Sequence, residues 1–131
     1  MSAEARGCAC SGAPKLVFAC SGSADVGAIA DQAARKLARD GAGKMFCAAG
    51  LGGDVKNMVD ATRAAAAILA IDGCPTACVK HTLDRLGFKS YEHVVVTTLG
   101  FEKGKSPLTD ERVAKVAAKG AAALGGGCCP Q

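Results

Sequence analysis

The sequence has few aromatic residues and no long hydrophobic run. It contains no tryptophan, one tyrosine and four phenylalanines, although half of its residues are apolar and alanine is used heavily. No segment reaches the roughly 18 apolar residues of a membrane-spanning helix, so we expect no membrane association. Small side chains let helices pack closely, and 131 residues of this composition suffice for one domain with a hydrophobic core.

The chain also lacks any concentration of one charge. Sixteen Lys and Arg residues against twelve Asp and Glu give a modest formal net charge of +4. The basic residues are spread along the presumed helices, whereas a nucleic-acid surface needs a basic patch or a recognisable motif. We therefore expect no nucleic-acid partner.

A secretory signal is missing as well, because the first fourteen residues contain no hydrophobic core. This predicts a cytoplasmic protein, and the cytosol keeps thiols reduced. Eight cysteines in such a compartment are expected to be metal ligands or redox groups before they are disulfides.

What the sequence does contain is a repeated order of short apolar run, glycine-containing loop and amphipathic helix. Continuous apolar runs are typical of strands that are buried on both faces. The alternation predicts an α/β, doubly wound fold of the flavodoxin or Rossmann kind, with a four-stranded parallel sheet in the order 2-1-3-4 and helices on both faces. The predicted strands cover residues 15–20, 44–49, 67–71 and 93–99.

Helix signals agree with this pattern. Ser23 or Asp25 is predicted to cap the first helix, Pro75 fits the first turn of the third, and Thr109 caps the fourth. The loop over 100–107 is basic and is expected to be flexible. We predict one α/β domain over residues 15–124, an N-terminal tail over 1–14 and a C-terminal tail over 125–131.

Four cysteines are predicted to meet at one edge of the sheet. Cys20 ends the first apolar run, Cys47 lies in the second, Cys74 follows the third, and Cys78 stands at the predicted start of a helix. Parallel sheets hold their ligands beyond the carboxyl ends of the strands. With strand one between strands two and three, Cys20 is central and its neighbours are within reach of one ion. Metal binding is the favoured interpretation of this group.

The segment Asp72-Gly73-Cys74-Pro75, followed by Cys78, resembles the signature of the DGC-domain proteins. These are small zinc-binding proteins of bacteria and archaea, named for that tripeptide. The similarity extends to Cys20-Ser-Gly22 and to Cys47, and covers roughly residues 15–107. The resemblance implies no particular reaction. It implies that the zinc ligands are Cys20, Cys47, Cys74 and Cys78.

Other interpretations of these cysteines stay open. A free cysteine is often a small buried hydrophobe. Cys74 and Cys78, or Cys20, suit a thiol-based redox or transfer enzyme, although thioredoxin-like motifs place only two residues between their cysteines. The cysteine-rich edge also suits a protein-interaction module. The loop after Cys20 is similar to that of cysteine phosphatases, but Val26 occupies the position that requires an arginine, which excludes that class.

Several residues near the predicted edge have simpler interpretations. The loop Gly50-Leu-Gly-Gly53 matches no phosphate-binding fingerprint and is interpreted as a tight loop into the second helix. An alternative role for its N–H groups is to hydrogen bond to the thiolates. Asp72 is expected to orient backbone amides in its turn. His81 is expected to face solvent, and His93 to lie at the opposite end of the sheet.

The remaining four cysteines lie near the two ends of the chain. The first strand and the last helix should meet at the amino edge of the sheet, which would bring the terminal cysteines together in a second, looser metal site. Exposed redox thiols or variable tails are the alternatives. These residues are Cys8, Cys10, Cys128 and Cys129.

The leading hypothesis is a cytoplasmic zinc-binding protein rather than an enzyme, with a structural, metal-sensing or metal-handling role. A metal ion is the partner that it implies, and the sequence does not identify a protein partner.

Overall fold

A computed structural model describes residues 13–125 of the chain. Its sheet is parallel, and the strands lie in the order β2-β1-β3-β4. The predicted α/β doubly wound fold and its strand order are thus confirmed. The strands are β1 (Lys15–Ala19), β2 (Lys44–Met45), β3 (Ala67–Asp72) and β4 (Glu92–Val95). The helices are α1 (Asp25–Arg39), α2 (Ala48–Gly52), α3 (Lys56–Arg63), α4 (Cys78–Arg85), α5 (Asp110–Ala123) and a 3-10 helix (Val96–Leu99).

Both faces of the sheet are buried, which explains the continuous apolar runs in the sequence. Alternate residues of a strand point to opposite faces. Val17 and Leu69 pack with α1 and α5, whereas Leu16 and Phe18 pack with α2, α3 and α4. All four side chains are fully buried.

Small residues allow α1 and α5 to lie close to the sheet, as the alanine-rich composition suggested. A Cβ atom on Gly120 of α5 would stand 2.9 Å from Leu69 Cδ2 and 3.0 Å from Leu37 Cδ1. Ala30 and Ala33 of α1 are fully buried in the same core. Larger side chains at these positions would push the helices away from β3.

Two predicted strands are longer than those observed. Strand two stops at Met45, because Cys47 is already the N-cap residue of α2. Strand four stops at Val95, and the β-branched run continues as a 3-10 helix whose Thr97 N–H donates to Gly73 O at 3.2 Å. Pro75 precedes α4 rather than lying in its first turn.

Thr109 caps α5 as predicted, because its hydroxyl accepts a hydrogen bond from the Arg112 N–H at 3.2 Å. We expect Thr109→Ala to lower the free energy of unfolding by about 1 kcal/mol, since the first turn loses a side-chain acceptor. Urea denaturation measures this change. Thr109→Ser keeps the acceptor and is the control. An alanine variant as stable as the serine variant would contradict the assignment of the cap.

The start of β1 and the end of α5 lie together at the amino edge of the sheet. Lys15 Nζ donates a hydrogen bond to Leu124 O at 3.2 Å. The two ends of the described part therefore lie where the sequence predicted. Cys8, Cys10, Cys128 and Cys129 themselves are outside the described residues, and the domain limits stay a prediction.

None of the helices in residues 13–125 combines the length and the hydrophobicity needed to cross a membrane.

Candidate metal centre

The predicted ligands Cys20, Cys47, Cys74 and Cys78 all lie at the carboxyl edge of the sheet. Cys20 directly follows β1, and its N–H continues the ladder to Ile71 O at 3.1 Å. Cys47 follows β2 and precedes α2, Cys74 follows β3, and Cys78 is the first residue of α4. All four are free thiols, and those of Cys47 and Cys78 are exposed.

A direct contact joins the loops that carry Cys20 and Cys74. The Gly73 N–H donates to Cys20 Sγ at 3.3 Å. Gly73 is itself packed against the first turn of α1, where a Cβ on it would stand 2.9 Å from Gly27 N. The central strand and its neighbour β3 thus present their cysteines from segments in backbone contact.

Cys20 and Cys47 line one cavity of about 260 Å³. Asp31 lies in its wall and accepts hydrogen bonds from Ser21 Oγ and Arg35 Nε, both at 2.8 Å. Burial alone would raise the pKa of Asp31, but the hydrogen bonds from Arg35 and Ser21 outweigh it and lower the pKa. The carboxylate therefore stays charged beside the cavity. These three side chains were not predicted, since they come together only when α1 is folded over β1.

Cys74 has a thiol that is easier to ionise than usual. Hydrogen bonds from the side chain and the backbone of Thr76 lower its pKa, and the positive charge of Lys103 contributes in the same direction. Lys103 Nζ lies 3.9 Å from Cys74 Sγ. This shift does not come from a helix N-terminus, because α4 begins only at Cys78 and its N-cap residue is Ala77.

Asp72 organises the start of α4. Its carboxylate is 1% exposed and accepts the N–H groups of Val79 at 2.9 Å and Lys80 at 3.1 Å. The carboxylate thus takes the place of a capping side chain at the N-cap residue itself. That residue, Ala77, has a left-handed backbone conformation (φ 53°, ψ 52°) that residues other than glycine rarely adopt. The prediction that Asp72 orients backbone amides is correct. Because these hydrogen bonds hold the first turn of α4, they also position Cys78.

His93 also contacts this carboxylate, so the prediction that it lies at the far end of the sheet is wrong. Its Nε2 is 2.8 Å from Asp72 Oδ2. His93 pairs with Ala70 in the register, and Asp72 lies two residues further along the same face of β3. His81 is exposed, as expected.

The Gly50-Leu-Gly-Gly53 segment does not have the predicted role. It belongs largely to α2, and the Gly50 and Gly53 N–H groups donate to Cys47 O at 3.1 Å and Ala49 O at 2.8 Å. These donors are therefore used within the helix rather than on a thiolate.

Among residues 13–125, no three His, Cys, Asp or Glu side chains lie close enough together to hold a metal ion. The donor set is nevertheless suited to zinc, which binds thiolates tetrahedrally. Three strand ends and one helix start deliver that set to one edge. A closed site requires the exposed Cys47 and Cys78 side chains to turn toward Cys20 and Cys74.

These features define a small α/β protein with a thiol-rich carboxyl edge. The chain belongs to the DGC domain family, whose model matches residues 16–119. It is also similar to the anaerobic and virulence modulator AnvM of Pseudomonas aeruginosa, with 41% identity over 88 residues that span 67% of each chain. No solved structure shows significant similarity to the chain.

Proposed function

We propose that this protein binds one zinc ion through Cys20, Cys47, Cys74 and Cys78 and has a structural, metal-sensing or metal-handling role in the cytoplasm. The observation that carries the proposal is the hydrogen bond from Gly73 N–H to Cys20 Sγ, which brings two of the cysteine loops together. Cys47 shares a cavity with Cys20, and Cys78 follows Cys74 across one short turn.

Zinc suits this edge better than a hard cation does. Thiolates are preferred by zinc, whereas calcium and magnesium select oxygen ligands. All four candidate ligands are cysteines, so none of them supplies an oxygen atom to a cation. When bound, the ion would tie the ends of β1, β2 and β3 to the start of α4.

A sensing or handling role is favoured over a purely structural one. The core of the domain is built from buried apolar side chains on both faces of the sheet, and the four cysteines lie outside these buried clusters. Cys47 and Cys78 are exposed, so two of the four ligands are accessible to a competing molecule. The name of the similar AnvM describes a modulator. A modulating role for this chain agrees with a binding protein whose conformation or interactions depend on whether zinc is bound.

Metal analysis of the purified, reduced protein tests the site. We expect one zinc per chain, and a strong loss of zinc in Cys20→Ser and Cys74→Ser, because each removes a ligand of a four-thiolate site. Elemental analysis after gel filtration measures zinc and protein together. The matched control replaces Cys8, Cys10, Cys128 and Cys129 with serine and should keep its zinc.

The opposite pattern contradicts the proposal. Zinc that survives replacement of the four edge cysteines but disappears with the terminal ones would move the site to the tails. A protein that carries no metal but has one rapidly alkylated thiol would instead support a thiol enzyme. Cys74 is the candidate in that case, because Thr76 and Lys103 surround its sulfur.

A further inference from the structure

The basic loop, residues 100–107, is anchored by hydrogen bonds within itself and to α1. Lys105 N–H donates to Glu102 O at 2.9 Å and closes a turn with Lys103 and Gly104 at its centre. Gly104 has φ of +87°, a conformation that suits glycine at the third position of a type II turn. Ser106 is 5% exposed, and its hydroxyl accepts the Glu102 N–H at 2.8 Å. The turn is therefore closed by one backbone hydrogen bond and by one hydrogen bond to the buried Ser106 side chain.

Asp25 ties this loop to the start of α1. Its two carboxylate oxygens accept the Gly104 N–H and the Ser106 N–H, each at 2.9 Å. The same turn of α1 contains Gly27, which packs against Gly73 beside Cys74. The basic loop is thus anchored to the segment that supports the cysteine edge.

The consequence of this anchoring is the position of Lys103. Its ammonium nitrogen lies 3.9 Å from Cys74 Sγ. This distance is long for a strong hydrogen bond but short for an attraction between opposite charges. Lys105, two residues further, has its ammonium 3.9 Å from Glu102 Oε2 instead. The loop therefore presents one particular lysine to the thiol.

We infer that Lys103 is a positioning residue of the metal centre, whose charge retains zinc at the thiolate edge, and that Asp25 and the basic loop hold it there. The inference rests on the proposed zinc site. Zn²⁺ surrounded by four thiolates carries a net charge of −2. A fixed cation beside one thiolate offsets part of that charge without serving as a ligand. It opposes the loss of zinc from the thiolates to a competing chelator.

Transfer of zinc to the chromogenic chelator 4-(2-pyridylazo)resorcinol tests the inference. We expect Lys103→Met to speed the transfer about two- to fivefold, the range for one exposed charge pair. Lys103→Arg should restore most of the wild-type rate, because it keeps the charge. Lys105→Met removes the same charge from the same loop and should leave the rate unchanged. Thermal unfolding of all three should match the wild type, since Lys103 is exposed.

A double-mutant cycle tests the role of Asp25. Asp25→Ala alone should also speed zinc transfer, because it releases the loop that carries Lys103. In a Lys103→Met background it should add little, since the charge is already absent. Additive effects of the two substitutions would show that Asp25 does not act through Lys103, and would overturn that part of the inference.

The outcomes separate this inference from the proposed function. If zinc-loaded wild type and Lys103→Met release metal at equal rates, the role of Lys103 is contradicted and the proposed zinc site is not. Equal acceleration by Lys103→Met and Lys105→Met also overturns it, because general charge then explains the effect. A wild type that binds no zinc overturns both.

Discussion

Replacing Asp72 with alanine is expected to lower the free energy of unfolding by about 3–5 kcal/mol. The carboxylate is almost fully buried and accepts the N–H groups of Val79 and Lys80, and His93 Nε2 lies 2.8 Å from it. Removal leaves two helix-terminal donors and an imidazole without their partner. Each buried polar group that loses its hydrogen bond costs about 1–3 kcal/mol.

Urea denaturation followed by circular dichroism measures this effect. Asp72→Asn keeps one acceptor oxygen and should fall between alanine and wild type. Asp84→Ala is the matched control, because Asp84 is an exposed aspartate that pairs with the Lys80 ammonium and accepts a hydrogen bond from the Tyr91 hydroxyl. Exposed pairs contribute about 0–1 kcal/mol. A loss for Asp72→Ala as small as for Asp84→Ala would show that the cap of α4 does not depend on this carboxylate.

The position of the cysteine edge was predictable because it depends only on topology. Parallel strands end at one edge, and Cys20, Cys47 and Cys74 each follow a strand. Strand order followed from the need to place Cys20 centrally, and the sheet has that order. The turn role of Asp72 was also predictable, since aspartate accepts backbone N–H groups ahead of a helix.

The contacts that refine the edge depend on register and on long-range packing, which one sequence does not reveal. His93 reaches Asp72 only because it pairs with Ala70. Lys103 lies beside Cys74 in a loop whose backbone N–H groups are bound by Asp25 of a different element. Pro75 does not lie in the first turn of α4 as expected, because the helix begins at Cys78 and Asp72 caps it from outside the local turn.

The glycines where the cysteine loops meet α1 are the second set of residues at which substitution is expected to destabilise the fold. A Cβ on Gly27 would stand 2.5 Å from Gly22 O, and one on Gly73 would stand 2.9 Å from both Gly27 N and Val26 O. These obstacles are backbone atoms, so no side-chain rotation can relieve the overlap. The loop after β1, the first turn of α1 and the loop after β3 therefore pack backbone to backbone. The glycine of the Asp72-Gly73-Cys74 signature is explained by this contact.

We expect Gly27→Ala to destabilise the protein by about 1–3 kcal/mol, the range for forced overpacking. Helix propensity alone predicts the opposite sign, a gain of about 1 kcal/mol for replacing a helical glycine. Gly22→Ala is the control, because its Cβ would meet nothing within 4 Å. Chemical denaturation gives the stabilities, and zinc content should fall with Gly27→Ala because the loops of Cys20 and Cys74 separate. A Gly27→Ala protein more stable than wild type would mean that these loops give way easily, and that the cysteine edge is not held by their backbone contact.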